Sequence, residues 1–512
     1  MSSPTVSLWW FARHEMRLNW RDWMGMMLGG RRRRTAFVVL GLVAVAAMLH
    51  LIASVMVGPW LRAGVVPDKH TLVMLTGGGL LFWAVMLSQA LESVTRGYYG
   101  RADLDLILAS PAPATKLFAI RTGAIALSTT TLSALLAAPA IDMLAWYGGA
   151  QWLAGYGVLL ALGAAATGIS VLVTLGLFRL FGARRTRLVS QILAAVIGAG
   201  FVIGIQAAAI LGYGRLSRAS ILSSDSLANA APDPSSILYL PARAFMGDPM
   251  ALLSVMVAGF GLLAVVIAAT SNGFARLAIA ATGVGEHDRG KTSVLKRFMP
   301  GSQRAAMRRK EWRLLRRDPW LISQTLMQVF YLVPPALLLW RNFGADASAY
   351  VIVVPVIVMA TGQLAGGLAW LAVSGEDAPD LVAIAPLPPR AILTAKIEAI
   401  LGAVAIVVLP LVAILAVLSP GMAAITFGGA VISAISATAI QIWHRVKARR
   451  AMFRRRQVAS RTATLSEAFS SILWAGAAAV AAANLWIFAV ITGVLALGVL
   501  GIARLLAPRR TA

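Results

Sequence analysis

Long apolar runs separated by short polar segments make up most of this chain. A stable membrane span needs about 20 mostly apolar residues in succession, and the chain offers twelve such runs. Six lie in the first half, near residues 35–58, 71–91, 122–145, 152–178, 188–213 and 249–275. Six lie in the second half, near residues 321–340, 348–374, 393–418, 421–443, 466–483 and 486–507. The pattern predicts an all-α polytopic membrane protein with about twelve transmembrane helices.

The distribution of Lys and Arg predicts the orientation of these spans. Cationic residues are retained on the cytoplasmic side of short loops. With the N-terminus inside, most of the 46 Lys and Arg residues fall in inside segments. The outside loops then hold only Arg62, Lys69, Arg215, Arg218, Arg243 and Arg341. Both termini of this multi-pass chain are therefore expected in the cytoplasm.

The overall composition agrees with a membrane protein and narrows the chemistry. Apolar residues make up 59% of the chain, charged residues 13%, and the net charge is +26. Basic runs at 31–34 and 445–456 flank apolar spans, so we interpret them as topology anchors that meet anionic lipid headgroups, not as nucleic-acid patches. The chain has no Cys, which excludes disulfides and thiolate metal sites. A polar leader of about 34 residues precedes the first span, so no cleavable signal peptide is expected.

Two pairs of similar segments indicate an internal repeat. The segment DLILASPAPATKLFAIR begins at Asp105 and DLVAIAPLPPRAILTAK begins at Asp380, and they align without a gap from the first Asp to Arg121 and Lys396. HEMRLNWRDW precedes the first span and KEWRLLRRDPW precedes the seventh, with Glu15 aligned to Glu311. We predict two parallel six-helix repeats. The expected domains are a leader helix at 1–34, the first six-span unit at 35–281, a basic linker with a second leader helix at 282–320, and the second six-span unit at 321–512.

The first leader segment is predicted to be an amphipathic helix that lies in the inner interface. At helical spacing, Arg13, Arg17 and Arg21 form a cationic ridge, whereas Trp20 and Trp23 belong to an apolar side. Such a helix enters the first span at an angle. A Trp-rich anchor without a moving part is the alternative. The second leader segment carries Pro319, so its continuation is expected to bend or break.

The loops after the second and eighth spans combine charges with apolar residues and end at prolines. A short helix with one apolar face, stopped by prolines, suits docking onto a soluble partner, and acidic residues among so many cations suggest a basic partner surface. A solvated turn is the alternative. The residues that we predict to couple the chain to a partner are Glu92, Arg96, Asp103, Asp105, Pro111 and Pro113 in the first loop region and Glu376, Asp377, Asp380, Pro386 and Pro388 in the second.

The order of an interfacial helix, two spans and an acidic Asp-Leu loop ending in Ser-Pro-x-Pro or Ala-Pro-x-Pro resembles the permeases of type-2 ABC exporters. The resemblance covers nearly the whole chain in topology, and its sequence signal lies in the two loops and two leader helices. It implies that those elements contact a cytoplasmic ABC ATPase subunit, expected in two copies. ATP and Mg would then bind in that partner, and this chain would hold no cofactor and no catalytic residue.

Most members of that family have six spans and pair up, so the twelve-span chain resembles a fused pair. The resemblance therefore implies a translocation pathway within one chain, with no homo-oligomer needed. It also implies location in the cytoplasmic (inner) membrane of a bacterium.

The stretch GEHDRGKT matches the phosphate-binding pattern G-x-x-x-x-G-K-[ST] at Gly285, Gly290, Lys291 and Thr292. A working phosphate loop follows a buried strand and opens a helix. Here the preceding residues are the tail of the sixth span, and Pro300 follows within about two helical turns. No apolar strand ending in a magnesium-binding Asp follows. We interpret the match as coincidental, with Lys291 as part of the cationic linker.

Few ionisable residues fall within the predicted spans, where each charge costs several kcal/mol and usually marks a pathway. His50 and Asp142 are the best exceptions, and we interpret both as interfacial residues of the outer parts of their spans, with a proton relay as the alternative. Gln206, Asn272 and Gln328 are interpreted as polar packing groups. The shortage of intramembrane acids favours a transporter driven from outside the chain. The alternatives are an intramembrane enzyme that acts on a lipid-linked substrate, with Glu376, Asp377 and Asp380 as its candidate cluster, and a membrane anchor or regulator of an ATPase.

Overall fold

Helices account for all the regular secondary structure in the described part of this computed structural model. It describes residues 13–14, 16–18, 21, 35–62, 65–99, 114–213, 225–282, 302–317, 326, 330, 333–334, 337, 348–374, 388–444 and 461–507. Nine helices within these residues are long and apolar enough to cross a membrane. An α-helix satisfies every backbone hydrogen bond internally, which hydrocarbon demands. The prediction of an all-α polytopic membrane protein is confirmed.

The nine spans coincide with nine of the predicted twelve. Two further predicted spans, the first and the fifth, overlap with the shorter apolar helices Ala46–Arg62 and Leu188–Gly200. The predicted span at 321–340 lies largely outside the described residues. The total of twelve and the arrangement as two parallel repeats stay predictions.

The described chain forms two compact units. The first comprises Met1–Val202 and Arg218–Ser293, and the second comprises Ile203–Ser217 and Val294–Ala512. The predicted domain limits, with a linker at 282–320, stay a prediction.

The first unit is built from helices of very different lengths. Its long helices are α1 (Thr35–Arg62), α2 (Lys69–Tyr99), α3 (Ala114–Gly148), most of α4 (Ala154–Tyr213) and α7 (Pro249–Thr282). Between α4 and α7 lie the short α5 (Asp225–Ala230) and α6 (Leu240–Phe245). Single 3-10 turns at Ala150–Leu153 and Ile237–Tyr239 precede α4 and α6.

Besides the end of α4, the described residues of the second unit form one polar helix and five apolar ones. The polar helix is α8 (Gln303–Arg317). The apolar helices are α9 (Ser348–Ser374), α10 (Pro389–Leu418), α11 (Pro420–Trp443), α12 (Arg461–Ala482) and α13 (Trp486–Leu505). Helix α9 supplies much of the core, and Val353, Val354 and Ala365 on it are fully buried. It packs against α8, α10, α11 and α12.

A single glycine separates two predicted spans within α4. Gly182 has φ 72° and ψ 171° and breaks the helix between the apolar segments Ala150–Gly182 and Leu188–Gly200. A positive φ strains any residue with a Cβ. The fourth and fifth predicted spans are therefore joined at this residue, whereas the hydropathy pattern indicated a loop of several residues.

Aspartates cap two of the long helices. The carboxylate of Asp68 accepts a 2.8 Å hydrogen bond from the Thr71 amide, and Asp248 accepts from the amides of Met250 and Ala251 at 3.0 and 3.1 Å. The bond from Thr71 holds the pKa of Asp68 below its usual value. The Asp68 cap therefore stabilises the fold above the ordinary pKa of an aspartate, and this contribution is lost as the pH falls through the lowered pKa.

Candidate functional site

Helix α8, the second predicted leader helix, turns one side into the core of the second unit. Glu311 and Leu315 are buried, with 2% and 4% of their surface exposed, and their i, i+4 spacing places them on one face. The Trp312 ring packs over Gly402 of α10. The helix is thus attached to the bundle by side chains and is not merely adjacent to it. Its described part ends at Arg317, and Pro319 lies outside the described residues.

Glu311 and Lys396 form a buried ion pair between α8 and α10. The Lys396 Nζ atom lies 3.1 Å from each Glu311 carboxylate oxygen, and the exposed fractions of the two side chains are 10% and 3%. The same ammonium donates a 2.6 Å hydrogen bond to the carbonyl of Ala372, in the last turn of α9. From the more exposed side, the Lys310 Nζ atom approaches Glu311 Oε1 at 3.1 Å. Three helices therefore meet at one ion pair.

A second ion pair joins the same two helices nearer to solvent. The Arg308 guanidinium of α8 donates to the Glu398 carboxylate of α10, and both side chains are about half exposed. We call the set Glu311, Lys396, Arg308 and Glu398 the ion-pair junction. The first pair is buried and the second is exposed. Breaking the buried pair is therefore expected to cost more unfolding free energy than breaking the exposed pair.

The ion-pair junction adjoins the second predicted coupling loop. Helix α9 ends at Ser374 and α10 begins at Pro389, so residues 375–388 connect the helix of Ala372 to the helix of Lys396. Pro388 is extended, with φ −64° and ψ 133°, and its carbonyl accepts a 2.9 Å hydrogen bond from Ala391. Glu376, Asp377, Asp380 and Pro386 lie outside the described residues.

The first predicted coupling loop is described only at its edges. Glu92 is half-buried near the end of α2, and Arg96 lies in the same helix. Asp103, Asp105, Pro111 and Pro113 lie outside the described residues. Arg121 of α3 is 2% exposed. It is the residue that the sequence comparison aligns with Lys396, and both follow the start of their helix by seven positions.

Only some of the remaining predicted residues lie within the described part of the chain. Arg13, Arg17 and Arg21 are helical and exposed. Trp20 and Trp23 lie outside the described residues, as do Gly285, Gly290, Lys291 and Thr292 of the phosphate-loop match.

Two residues singled out in the spans of the first unit lie side by side. The His50 Nε2 atom of α1 is 3.3 Å from Asp142 Oδ2 of α3, and the Tyr156 hydroxyl of α4 donates a 2.7 Å hydrogen bond to Asp142 Oδ1. His50 Nδ1 lies 2.7 Å from the carbonyl of Ala46. Since a carbonyl only accepts, Nδ1 carries a proton, and the contact at Nε2 then needs one more proton on either the ring or the carboxyl. The interpretation of His50 and Asp142 as interfacial residues did not include this contact.

Replacing Tyr156 with Phe is expected to cost about 1 kcal/mol of unfolding free energy, because Asp142 then loses a part-buried donor. Tyr147→Phe is the matched control, since that ring packs beside Gly58 and its hydroxyl has no hydrogen bond within the described residues. Detergent-induced unfolding of both variants measures the difference. Equal stability of the two would show that the Tyr156 hydroxyl contributes nothing.

A polar group that the sequence reasoning missed lies in the second unit. Glu467 falls within the apolar span Ala463–Ala482 of α12, and its carboxylate accepts a hydrogen bond from the Gln441 amide of α11. The residue as a whole is partly buried, but its carboxyl group points into the interior and rests against Gly366 of α9. The predicted span begins at residue 466, a boundary that places Glu467 at its edge. The i, i+3, i+4 spacing of Glu467, Ser470 and Ser471 was the signal that could have revealed an inward polar stripe.

No group of three or more His, Asp or Glu side chains suited to a metal ion occurs among the described residues. Comparisons with protein families, curated proteins and solved structures find no match to this chain.

Proposed function

We propose that this chain is the permease of an exporter driven by ATP hydrolysis in a separate subunit. The observation that carries the proposal is the ion-pair junction, where α8 and the two helices flanking residues 375–388 are joined by a buried ion pair. A permease driven from one membrane face needs such a joint, because a force on a loop moves a bundle only if the loop ends are attached to it.

The proposed force path runs from the loop into three helices at once. Pro388 leads directly into α10, and Lys396 ties α10 to α8 through Glu311 and to α9 through the Ala372 carbonyl. Closure of the ATPase subunits would push on the acidic loop, and α8, α9 and α10 would tilt together. The first loop, at residues 101–113, has the equivalent role in this proposal.

Under the proposal, ATP and Mg bind only in the partner, and two copies of it serve the two loops of one chain. The acidic residues Glu376, Asp377 and Asp380 would meet a basic surface of the partner, while Arg13, Arg17 and Arg21 would meet anionic headgroups. The chain would sit in the cytoplasmic membrane of a bacterium with both termini inside. It would need no second copy of itself.

Purification from native membranes in a mild detergent is expected to bring down an ATPase at two copies per chain. A photoreactive side chain at position 380 should crosslink to it. The same probe at position 146 should not, because Trp146 is 80% exposed and lies at the end of α3 opposite to the end that follows residues 101–113. Quantitative mass spectrometry gives the stoichiometry, and the crosslinked peptides locate the contact.

In vesicles, deleting residues 105–113, or replacing Glu376, Asp377 and Asp380 together with Ala, is expected to leave ATP hydrolysis but abolish export. Unchanged export by both variants would contradict the coupling assignment. If no ATPase copurifies, and the chain alone binds labelled ATP in a way that Lys291→Ala abolishes, the nucleotide site lies in GEHDRGKT and the proposal fails.

A further inference from the structure

The carboxyl group of Glu467 lies among α9, α11 and α12, and no cationic side chain within the described residues pairs with it. Its one hydrogen bond within the described residues comes from Gln441, which is 7% exposed. The carboxyl group fills the space that a side chain at position 366 would occupy, since a methyl group on Gly366 would overlap with it. An ionised carboxylate in an apolar bundle is very costly unless it is paired.

Polar side chains continue from Glu467 into the bundle. Ser470 and Ser471 follow it on the same face of α12, and Ser433 approaches from α11. Each of the three serines is 1% exposed, and none of their hydroxyls has a hydrogen-bond partner within the described residues. Ser433 and Ser471 both point at Gly362, where a methyl group would overlap with their hydroxyls. We call Glu467, Gln441, Ser470, Ser471 and Ser433 the polar column.

The column divides into two levels. Glu467 contacts Gly366, while Ser433 and Ser471 contact Gly362, and these glycines are about one helical turn, ~5.4 Å, apart along α9. A metal ion needs several oxygens around one point at about 2.0–2.6 Å. Oxygens spread over a full turn suit a proton better, because a proton needs one carboxyl oxygen and one acceptor.

The charged groups on the helices that pack against α12 do not neutralise Glu467. Helix α9 has no titratable group among its described side chains. His444, directly after α11, is buried, and its Nδ1 atom is 3.0 Å from the Ile440 carbonyl. Arg504 of α13 lies over the Trp443 ring, 5.1 Å from its centroid. Neither forms an ion pair with Glu467 within the described residues.

We propose that Glu467 is a proton-binding site, holding one proton as a neutral carboxylic acid at the end of the polar column. In this state one carboxyl oxygen accepts from Gln441 and the other carries the proton. The site goes beyond the proposed exporter function. It belongs to this chain alone and holds whether or not an ATPase partner exists.

Labelling with dicyclohexylcarbodiimide tests the site, because this apolar reagent modifies protonated carboxyls in a membrane. The full chain in liposomes is treated at pH 7, and adducts are located by mass spectrometry. Glu398 is the internal comparison, since it is half exposed and paired with Arg308. An ordinary Glu is protonated in roughly one molecule in 500 at that pH. Because the proposed state holds its proton at pH 7, Glu467 is expected to react about 500-fold faster than Glu398, and its rate should fall as the pH rises.

Two glycine variants show whether a change in labelling comes from the Glu467 site or from a general change in helix packing. Gly366→Ala displaces the carboxyl and should abolish the Glu467 adduct, whereas Gly367→Ala should preserve it, because a methyl group there meets nothing within 4 Å. Glu467→Gln should give no adduct while the chain stays folded, since the amide still accepts from Gln441.

Three outcomes would overturn the proposal. Equal labelling of Glu467 and Glu398 means that Glu467 is ionised. Reaction of Glu467 only with a water-soluble carbodiimide means that it faces water. Protection of Glu467 from labelling by NaCl, but not by choline chloride, means that the column holds a metal cation instead of a proton.

Discussion

Replacing Glu311 with Gln is expected to lower the free energy of unfolding by about 3 kcal/mol, because the variant leaves the Lys396 ammonium buried without its counter-charge. The Ala372 carbonyl still accepts one hydrogen bond from Lys396, which places the expected loss at the lower end of the range for broken buried pairs. Unfolding of the purified chain by increasing fractions of denaturing detergent measures the loss.

Two further variants test whether the effect belongs to the buried pair. Glu311→Met combined with Lys396→Met replaces both charges with apolar side chains and should recover most of the lost stability. Glu398→Gln breaks the exposed pair with Arg308 and should cost far less, because solvent screens both half-exposed side chains. Similar losses for Glu311→Gln and Glu398→Gln would contradict the burial argument.

The double variant also tests whether the ion-pair junction takes part in the proposed coupling to export. If the ion-pair junction transmits force, the double variant should fold but export poorly, because an apolar contact joins α8 to α10 less rigidly than an ion pair. ATP hydrolysis by a copurified ATPase should continue. Normal export by the double variant would limit the ion-pair junction to a structural role.

Replacing Gly259 with Ala is expected to lower the free energy of unfolding by about 3 kcal/mol, at the upper end of the usual cost of overpacking. Helix α7 crosses α4 at this glycine, and an added methyl group would overlap with the Ala161 carbonyl oxygen and lie 2.9 Å from its carbonyl carbon. Those atoms belong to a helix backbone, so they cannot rotate away as a side chain does. The two helices must separate.

Gly261→Ala is the matched control on the same helix, two residues away. A methyl group there meets nothing within 4 Å, and Ala is a better helix former than Gly by about 1 kcal/mol. This variant should therefore be neutral or slightly more stable in the same unfolding measurement. If Gly259→Ala is equally harmless, α4 and α7 do not approach as closely as the contact at Ala161 indicates.

The spans could be predicted from the sequence because their cause is local. A run of about 20 apolar residues must become a helix in lipid, whatever it later packs against. The amphipathic pattern of α8 and the proline at the start of α10 are likewise readable in order along the chain. The hydropathy pattern did not show that one residue, Gly182, joins two spans, since a backbone angle leaves no trace in hydropathy.

The contacts of the polar side chains could not be predicted without knowing how the helices pack. Glu311 and Lys396 are separated by two predicted spans in the sequence, and nothing in their spacing indicates that their charges meet. His50 and Asp142 were recognised as unusual residues, but their contact depends on how α1 packs against α3. Glu467 could not be recognised from the sequence, because a predicted boundary that is wrong by a few residues assigns an interior charge to the interface.

The sequence by itself determined that the chain is helical, apolar and membrane-embedded, because those properties follow from composition and periodicity within single segments. Only the tertiary structure decided which polar groups are paired, as at Glu311 and Lys396, and which lie in an apolar interior without a counter-charge, as at Glu467. The physical reason is that the energy of a charge depends on the few ångströms around it, and those surroundings are supplied by helices far apart in the chain.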